Sequence, residues 1–96
     1  MISCHETIEI LTAYKPELVQ KYPIEYIALF GSITRNDFTS ESDIDIVVQF
    51  NGKIGIEFID LADELERRLN WKVDLVSRDA IKAKYFEYVE KDMIYI

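Results

Sequence analysis

Cysteine is almost absent: Cys4 is the single one in a chain of 96 residues. No internal disulfide can form, which suits a reducing compartment. Cys4-His5 has the look of half a zinc site, but no second pair exists to complete four ligands. Proline and glycine are scarce, at two and three residues, so neither a collagen-like repeat nor a Pro/Gly-rich linker is present. No apolar run approaches the roughly 20 residues needed to cross a bilayer. The start, MISCHETIEIL, lacks the basic opening and long apolar stretch of a signal peptide. A cytoplasmic protein without a membrane partner is expected. Positive charge is also in short supply: 11 Lys and Arg against 18 Asp and Glu leave a net charge of −7. Such a surface repels a phosphate backbone, so long nucleic acid is not an expected partner. Metal ions and a basic protein are.

Hydrophobic residues, by contrast, are plentiful at 49%, enough for one small core in one domain spanning residues 1–96. Ile8, Leu11, Leu18 and Val19 give an approximate helical stripe over Thr7 to Tyr22. Pro16 predicts a kink or a second short helix, and Pro23 ends the segment. Ile24 to Phe30 reads as a buried strand. Gly31 to Ser42, rich in Ser, Thr, Asn and Asp, reads as a loop with room for one helical turn. Asp43 to Phe50 is the next strand, closed by the Asn51-Gly52 turn signal. Ile56 to Leu69 places Phe58, Leu61, Ala62, Leu65 and Leu69 on one face, with Asp60, Asp63, Glu64 and Arg67 largely elsewhere. Trp71 to Val76 is a third strand. Asp79 is expected to cap a helix over Ala80 to Glu90, and Met93 to Ile96 to form a short final strand. The order predicts an α/β (α+β) fold: a small mixed sheet with helices packed on one face.

The chemistry concentrates in FGSITRNDFTSESDIDIVV, Phe30 to Val48. Strand side chains alternate, so Asp43 and Asp45 point the same way, about 7 Å apart at the backbone. Ile44, Ile46 and Val48 point the other way, toward the helices. Adjacent carboxylates each raise the cost of ionising the other, and a cation between them relieves it. All-oxygen ligands suit Mg²⁺. In WKVDLV, alternation puts Asp74 opposite Val73 and Leu75. With the two strands as neighbours, Asp74 joins Asp43 and Asp45, and three carboxylates can hold two Mg²⁺ for in-line displacement at phosphorus. Gly31 lets the backbone approach a ligand closely. The following amides and the Ser32 hydroxyl can cradle phosphate oxygens, and Arg35 can neutralise triphosphate charge.

Gly31-Ser32, ten intervening residues, Asp43-x-Asp45 and a later strand aspartate, Asp74, resemble the signature of the polymerase-beta-like nucleotidyltransferase superfamily. The short chain, with its SDIDIVV and VDLV strands, is similar to the minimal nucleotidyltransferase (MNT) branch. The likeness runs from about Tyr26 to Val76. It implies two Mg²⁺ ions, ATP as substrate, transfer of a nucleoside monophosphate and release of pyrophosphate. It implies Gly31 and Ser32 as phosphate binders, beside the Arg35 already read as a nucleotide-binding charge, and Asp43, Asp45 and Asp74 as catalytic metal ligands. Many relatives carry Gly after the loop arginine, where this chain has Asn36-Asp37. In that branch MNT proteins are commonly paired with helical HEPN toxins, and as antitoxins can AMPylate the HEPN ribonuclease, often on tyrosine. A HEPN-family toxin in a hetero-oligomer is the partner so implied. Larger relatives add a helical domain for nucleotide and acceptor; this chain ends roughly twenty residues after Asp74, so a partner is expected to supply those contacts.

Two other functions fit the same residues. One is transfer to a small molecule or an RNA end. The other is a non-catalytic module that neutralises its partner by contact alone. Lys82 and Lys84 are expected on the wet face of the last helix, and Tyr85, Tyr88 and Tyr95 with Phe86 in core or interface rather than as a base-stacking platform.

Overall fold

The sheet has strand order β3-β2-β1-β4, and its topology follows from the connections available. The computed structural model describes residues 1–96. Helix α1 (Cys4–Lys21) leads into β1 (Ile24–Phe30), the short α2 (Ser32–Arg35) and β2 (Ile44–Phe50). Then come α3 (Glu57–Leu69), β3 (Val73–Ser77), a 3-10 turn at Arg78–Ala80, α4 (Ala83–Lys91) and β4 (Ile94–Tyr95). β1 pairs antiparallel with both β2 and β4. β2 and β3 are parallel, a pairing that needs a crossover, which α3 supplies.

β2 shows why the sheet has two unlike faces. Ile44, Ile46, Val48 and Phe50 enter the main apolar core with Leu11 and Leu18 of α1 and Leu61, Leu65 and Leu69 of α3. Asp45 and Gln49, on the alternate positions, are only half-buried. Helices α1 and α3 therefore form one layer on one face, as the apolar stripes require. α4 stands apart from that layer. Its one buried residue, Phe86, lies outside the main core, as do the buried register partners Ala28 and Val47 on the other face.

Four local features differ from the sequence reading. α1 begins at Cys4 rather than Thr7, because Ser3 and Glu6 close a capping box. It also runs through Pro16 as one helix rather than two. Pro16 and Thr12, whose carbonyl loses its partner, are both exposed, so water can satisfy it, while buried Tyr14 and Leu18 pin the helix around the proline. Asp79 caps no helix: Ile81 N–H donates to the Arg78 carbonyl at 3.1 Å and Arg78 Nη1 donates to the Ile81 carbonyl at 3.2 Å, closing a tight turn there. α4 starts after Lys82 instead. Glu64, assigned to the polar side of α3, is 5% exposed, because α1 brings hydrogen-bond donors to it.

Candidate active site

Parallel pairing of β2 and β3 fixes the acidic centre. Asp45 is the register partner of Asp74 on one side and of Phe30 on the other. With Ile44 and Ile46 committed to the core, Asp45 must face away from it, and Asp74 does likewise between Val73 and Leu75, which pack on the core. Asp43 lies one residue before β2. Its backbone is held on both sides: Ile44 N–H donates to the Lys72 carbonyl at 2.9 Å, and the Trp71 indole N–H donates to the Ser42 carbonyl at 2.8 Å. Phe38 tilts against the Trp71 ring at 5.6 Å and steadies the loop before it.

Asp43 and Asp74 are exposed and Asp45 is half-buried. Burial raises the Asp45 carboxyl first, and the charges of Asp74 and then Asp43 push it further, to about 6 from 3.8, against a lowering pull from Arg35. The three carboxylates therefore share one field. No three His, Cys, Asp or Glu side chains close into a metal-holding group; Asp45 and Asp74 are the two carboxylates that the sheet register sets side by side. The donors are all carboxylate oxygens, and the central one is held against its neighbours' charge. That set fits a divalent cation, Mg²⁺ above softer metals.

Gly31 makes room for this centre. Its φ is +79°, a region side-chain-bearing residues rarely adopt, and a Cβ there would fall on the Asp45 Oδ2 and 3.0 Å from its Cγ. Gly31 also starts α2, where Thr34 N–H and Thr34 Oγ1 both donate to its carbonyl, at 3.0 and 2.8 Å. Ser32 thus opens a fixed turn beside Asp45. Gly31→Ala is expected to lower stability by about 1–3 kcal/mol through backbone strain alone, with displacement of Asp45 on top; a urea midpoint equal to wild type would contradict this.

α2 ends at Asn36, whose φ of 70° is left-handed. Asparagine is among the side chains that best tolerate that conformation, so the turn closes here without a glycine. Arg35 leaves this turn to pair with Asp37 at 3.5 Å and with Asp92, just past α4, at 3.6 Å. These are solvent-exposed pairs and hold Arg35 loosely.

Of the sequence-derived residues, Gly31, Arg35 and Asp45 share one hollow, Asp74 is the register partner of Asp45, and Asp43 lines a separate hollow with Trp71 and Lys72. Gly31, Arg35 and Asp45 line a concavity of about 270 Å³ with Phe30, Tyr88, Val89 and Asp92. The α4 residues were missed as site candidates. Tyr85, Tyr88 and Tyr95, expected in core or interface, are 55%, 69% and 58% exposed. The available signal was α4's own pattern, which buries Phe86 and must turn Tyr85 and Tyr88 elsewhere.

The chain is similar to known proteins along nearly its whole length. The profile of the family described as polymerase beta, nucleotidyltransferase, matches residues 13–95. A Methanocaldococcus jannaschii chain assigned as a protein adenylyltransferase is 41% identical over 100 residues, covering all of both chains. Protein adenylyltransferase MntA of Thermococcus cleftensis is 34% identical over 97 residues, covering 100% of this chain and 98% of its own. Among solved structures, a minimal nucleotidyltransferase superposes with a TM-score of 0.80 at 26% identity, over 97% of this chain and 95% of that one. An MNT antitoxin bound to a tri-AMPylated HEPN toxin of Shewanella oneidensis gives a TM-score of 0.60 at 25% identity, over 96% of this chain and 66% of that chain.

Proposed function

This chain belongs to the polymerase beta nucleotidyltransferase family, and from that membership we propose that it moves AMP from ATP onto a protein partner, a HEPN-family toxin that it restrains as an antitoxin. The observation that carries the reading is the register pairing of Asp45 with Asp74, beside Asp43 and the Gly31–Arg35 turn. The adenylyltransferase relatives support AMP as the group moved. The AMPylated toxin bound to the Shewanella antitoxin supports the class of acceptor. The whole chain, residues 1–96, acts as one nucleotidyltransferase domain in this reading. It works in the cytoplasm, in keeping with a free Cys4 and with no helix long and apolar enough to cross a membrane.

Asp43, Asp45 and Asp74 would hold two Mg²⁺ ions. Bound there, magnesium supplies charge neutralisation at the α-phosphate and the leaving pyrophosphate. The chain does the rest by position. The turn amides and the Ser32 hydroxyl receive phosphate oxygens, and Arg35 exchanges a loose carboxylate pair for phosphate charge. An acceptor hydroxyl, a tyrosine of the partner, attacks the α-phosphorus; the bond to the β-phosphate oxygen breaks and pyrophosphate leaves. Asp74, the exposed member of the register pair, lies best to take the hydroxyl proton.

The test uses labelled ATP, Mg²⁺ and the product of the gene adjacent to that of this chain, with wild type and Asp43→Ala/Asp45→Ala in parallel. Label on the partner that is lost in the double variant and disappears with EDTA is the expected result. Neutralisation of the toxin by the double variant without label would establish a contact-only antitoxin instead. Label diverted by a small-molecule or RNA acceptor would move the enzyme to another substrate class.

A further inference from the structure

We propose that Tyr88 is the platform on which the nucleobase of the substrate stacks, so that α4 supplies the base-binding wall of the site. This rests on the nucleotidyltransferase reading above and extends it to a residue that reading does not use.

The concavity that contains Asp45 has two kinds of lining. Gly31, Asp45 and the Arg35–Asp92 pair give it charged groups suited to phosphates and cations. Phe30, Tyr88 and Val89 give it apolar, partly aromatic ones. A triphosphate alone has use only for the first. A nucleotide matches both, because its base is planar and apolar on its faces while its phosphates are charged. At about 270 Å³ the hollow is too small to enclose a whole nucleoside triphosphate, so one end of the ligand must lie against an open wall. Tyr88 forms such a wall.

Tyr88 is also unexplained as a structural residue. It is 69% exposed while Phe86, two positions earlier, carries the burial of α4. Its ring meets a cation, Lys91 Nζ, 5.2 Å from the centroid. A cation covers one face of a ring at most and leaves the other for stacking. Lys91 adds positive charge near the hollow, where an otherwise acidic chain needs it. The Arg35–Asp92 pair ties the end of α4 to the phosphate turn, so the two kinds of lining are linked. Stacking on a tyrosine is sequence-tolerant, and a purine offers it more area than a pyrimidine. An adenine or guanine nucleotide is therefore the preferred occupant.

Calorimetric titration with ATP and with inorganic tripolyphosphate, both with Mg²⁺, tests the assignment on wild type, Tyr88→Ala and Tyr88→Phe. Tyr88 is too exposed for its loss to unfold the chain, and thermal melts of each variant check that. Tyr88→Ala is expected to weaken ATP binding about 10- to 100-fold, the scale of one base stacked on an aromatic ring. Tripolyphosphate binding stays at the wild-type value, and Tyr88→Phe keeps ATP binding. Equal ATP affinity in wild type and Tyr88→Ala overturns the platform, as does equal loss of both ligands. Unchanged ATP binding with reduced labelling of the partner would give this wall to the acceptor protein and overturn it too. Wild type that binds tripolyphosphate as tightly as ATP removes the platform alone. Wild type that binds neither removes the nucleotide site, and the platform with it.

Discussion

Asp45→Asn is expected to stabilise the metal-free protein at pH 7.5 by about 1–2 kcal/mol, while cutting nucleotidyl transfer about a hundredfold or more. The two effects have one cause. Asp45 lies between Phe30 and Asp74 in the sheet, half-buried, and its carboxyl is raised to about 6 by burial and by the charges of Asp74 and Asp43. A carboxyl whose folded pKa lies above its unfolded value costs nothing when both states are protonated. The cost builds as pH rises from about 4 to about 6, then stays constant. The full linkage for a group moved from 3.8 to about 6 is about 3 kcal/mol, and solvent screening at a half-buried site trims it to the range above. Asparagine escapes that cost and gives up a charge that the proposed reaction needs. In a domain of this size the gain reads as a rise of roughly 4–15 °C in Tm, shrinking to nothing by pH 4. Mg²⁺ is expected to raise the wild-type Tm more than that of the variant. A variant less stable than wild type at pH 7.5, or one that transfers AMP at the wild-type rate, would remove this account of the centre.

The acidic centre was legible because strand alternation is a rigid rule. Once Ile44, Ile46 and Val48 were read as core, Asp43 and Asp45 had to share the opposite face, and Asp74 had to follow if β3 lay beside β2. The structure shows that neighbouring, in register. Gly31 was legible as a close approach, but what it approaches was not. The backbone there makes space for the Asp45 side chain, and no local pattern connects residues fourteen apart. α1 misled in two ways. The Ser3-x-x-Glu6 box was present in the sequence, yet an apolar stripe starting at Ile8 drew the boundary inward. Pro16 suggested a break that tertiary packing of Tyr14 and Leu18 overrides. α4 was the least legible element. Its start depends on the turn that Arg78 closes, and its guanidinium stacks on Phe86 at 3.7 Å, a contact across a loop that spacing cannot reveal. Tyr88 and Val89, which line the same hollow as Asp45, come from this element, so the part of its lining from β1, α2 and β2 was readable and the part from α4 was not.

Glu64 carries the second large prediction, and it too was hidden from a sequence reading that saw only a charged residue on an amphipathic helix. Its carboxylate accepts hydrogen bonds from the Tyr14 hydroxyl, from the Tyr22 hydroxyl at 2.9 Å and from Lys21 Nζ at 2.9 Å. All three donors come from α1 or its C-cap residue, so this one side chain ties α3 to the first helix through the core. Burial opposes its ionisation, but the hydrogen bonds from Tyr14, Lys21 and Tyr22 prevail and bring it down to about 2. Burial and the same carboxylate push the Tyr22 hydroxyl up to about 12, which keeps it a donor throughout the useful pH range. A carboxyl with a depressed folded pKa contributes its stability above the unfolded value and loses it as pH falls through the folded one. The wild type is therefore expected to lose about 3 kcal/mol from this group between pH 5 and pH 2. Glu64→Gln should show a flatter acid limb, because it cannot titrate. Glu64→Ala strands two buried hydroxyls and is expected to cost about 3–5 kcal/mol at pH 7. That is a large part of the roughly 5–15 kcal/mol available to a domain, so the melting temperature should fall by more than 10 °C. Urea unfolding across pH measures both effects. An alanine variant within 1 kcal/mol of wild type at pH 7, or a glutamine variant with an unchanged acid limb, would show that α1 and α3 are held by their leucines alone.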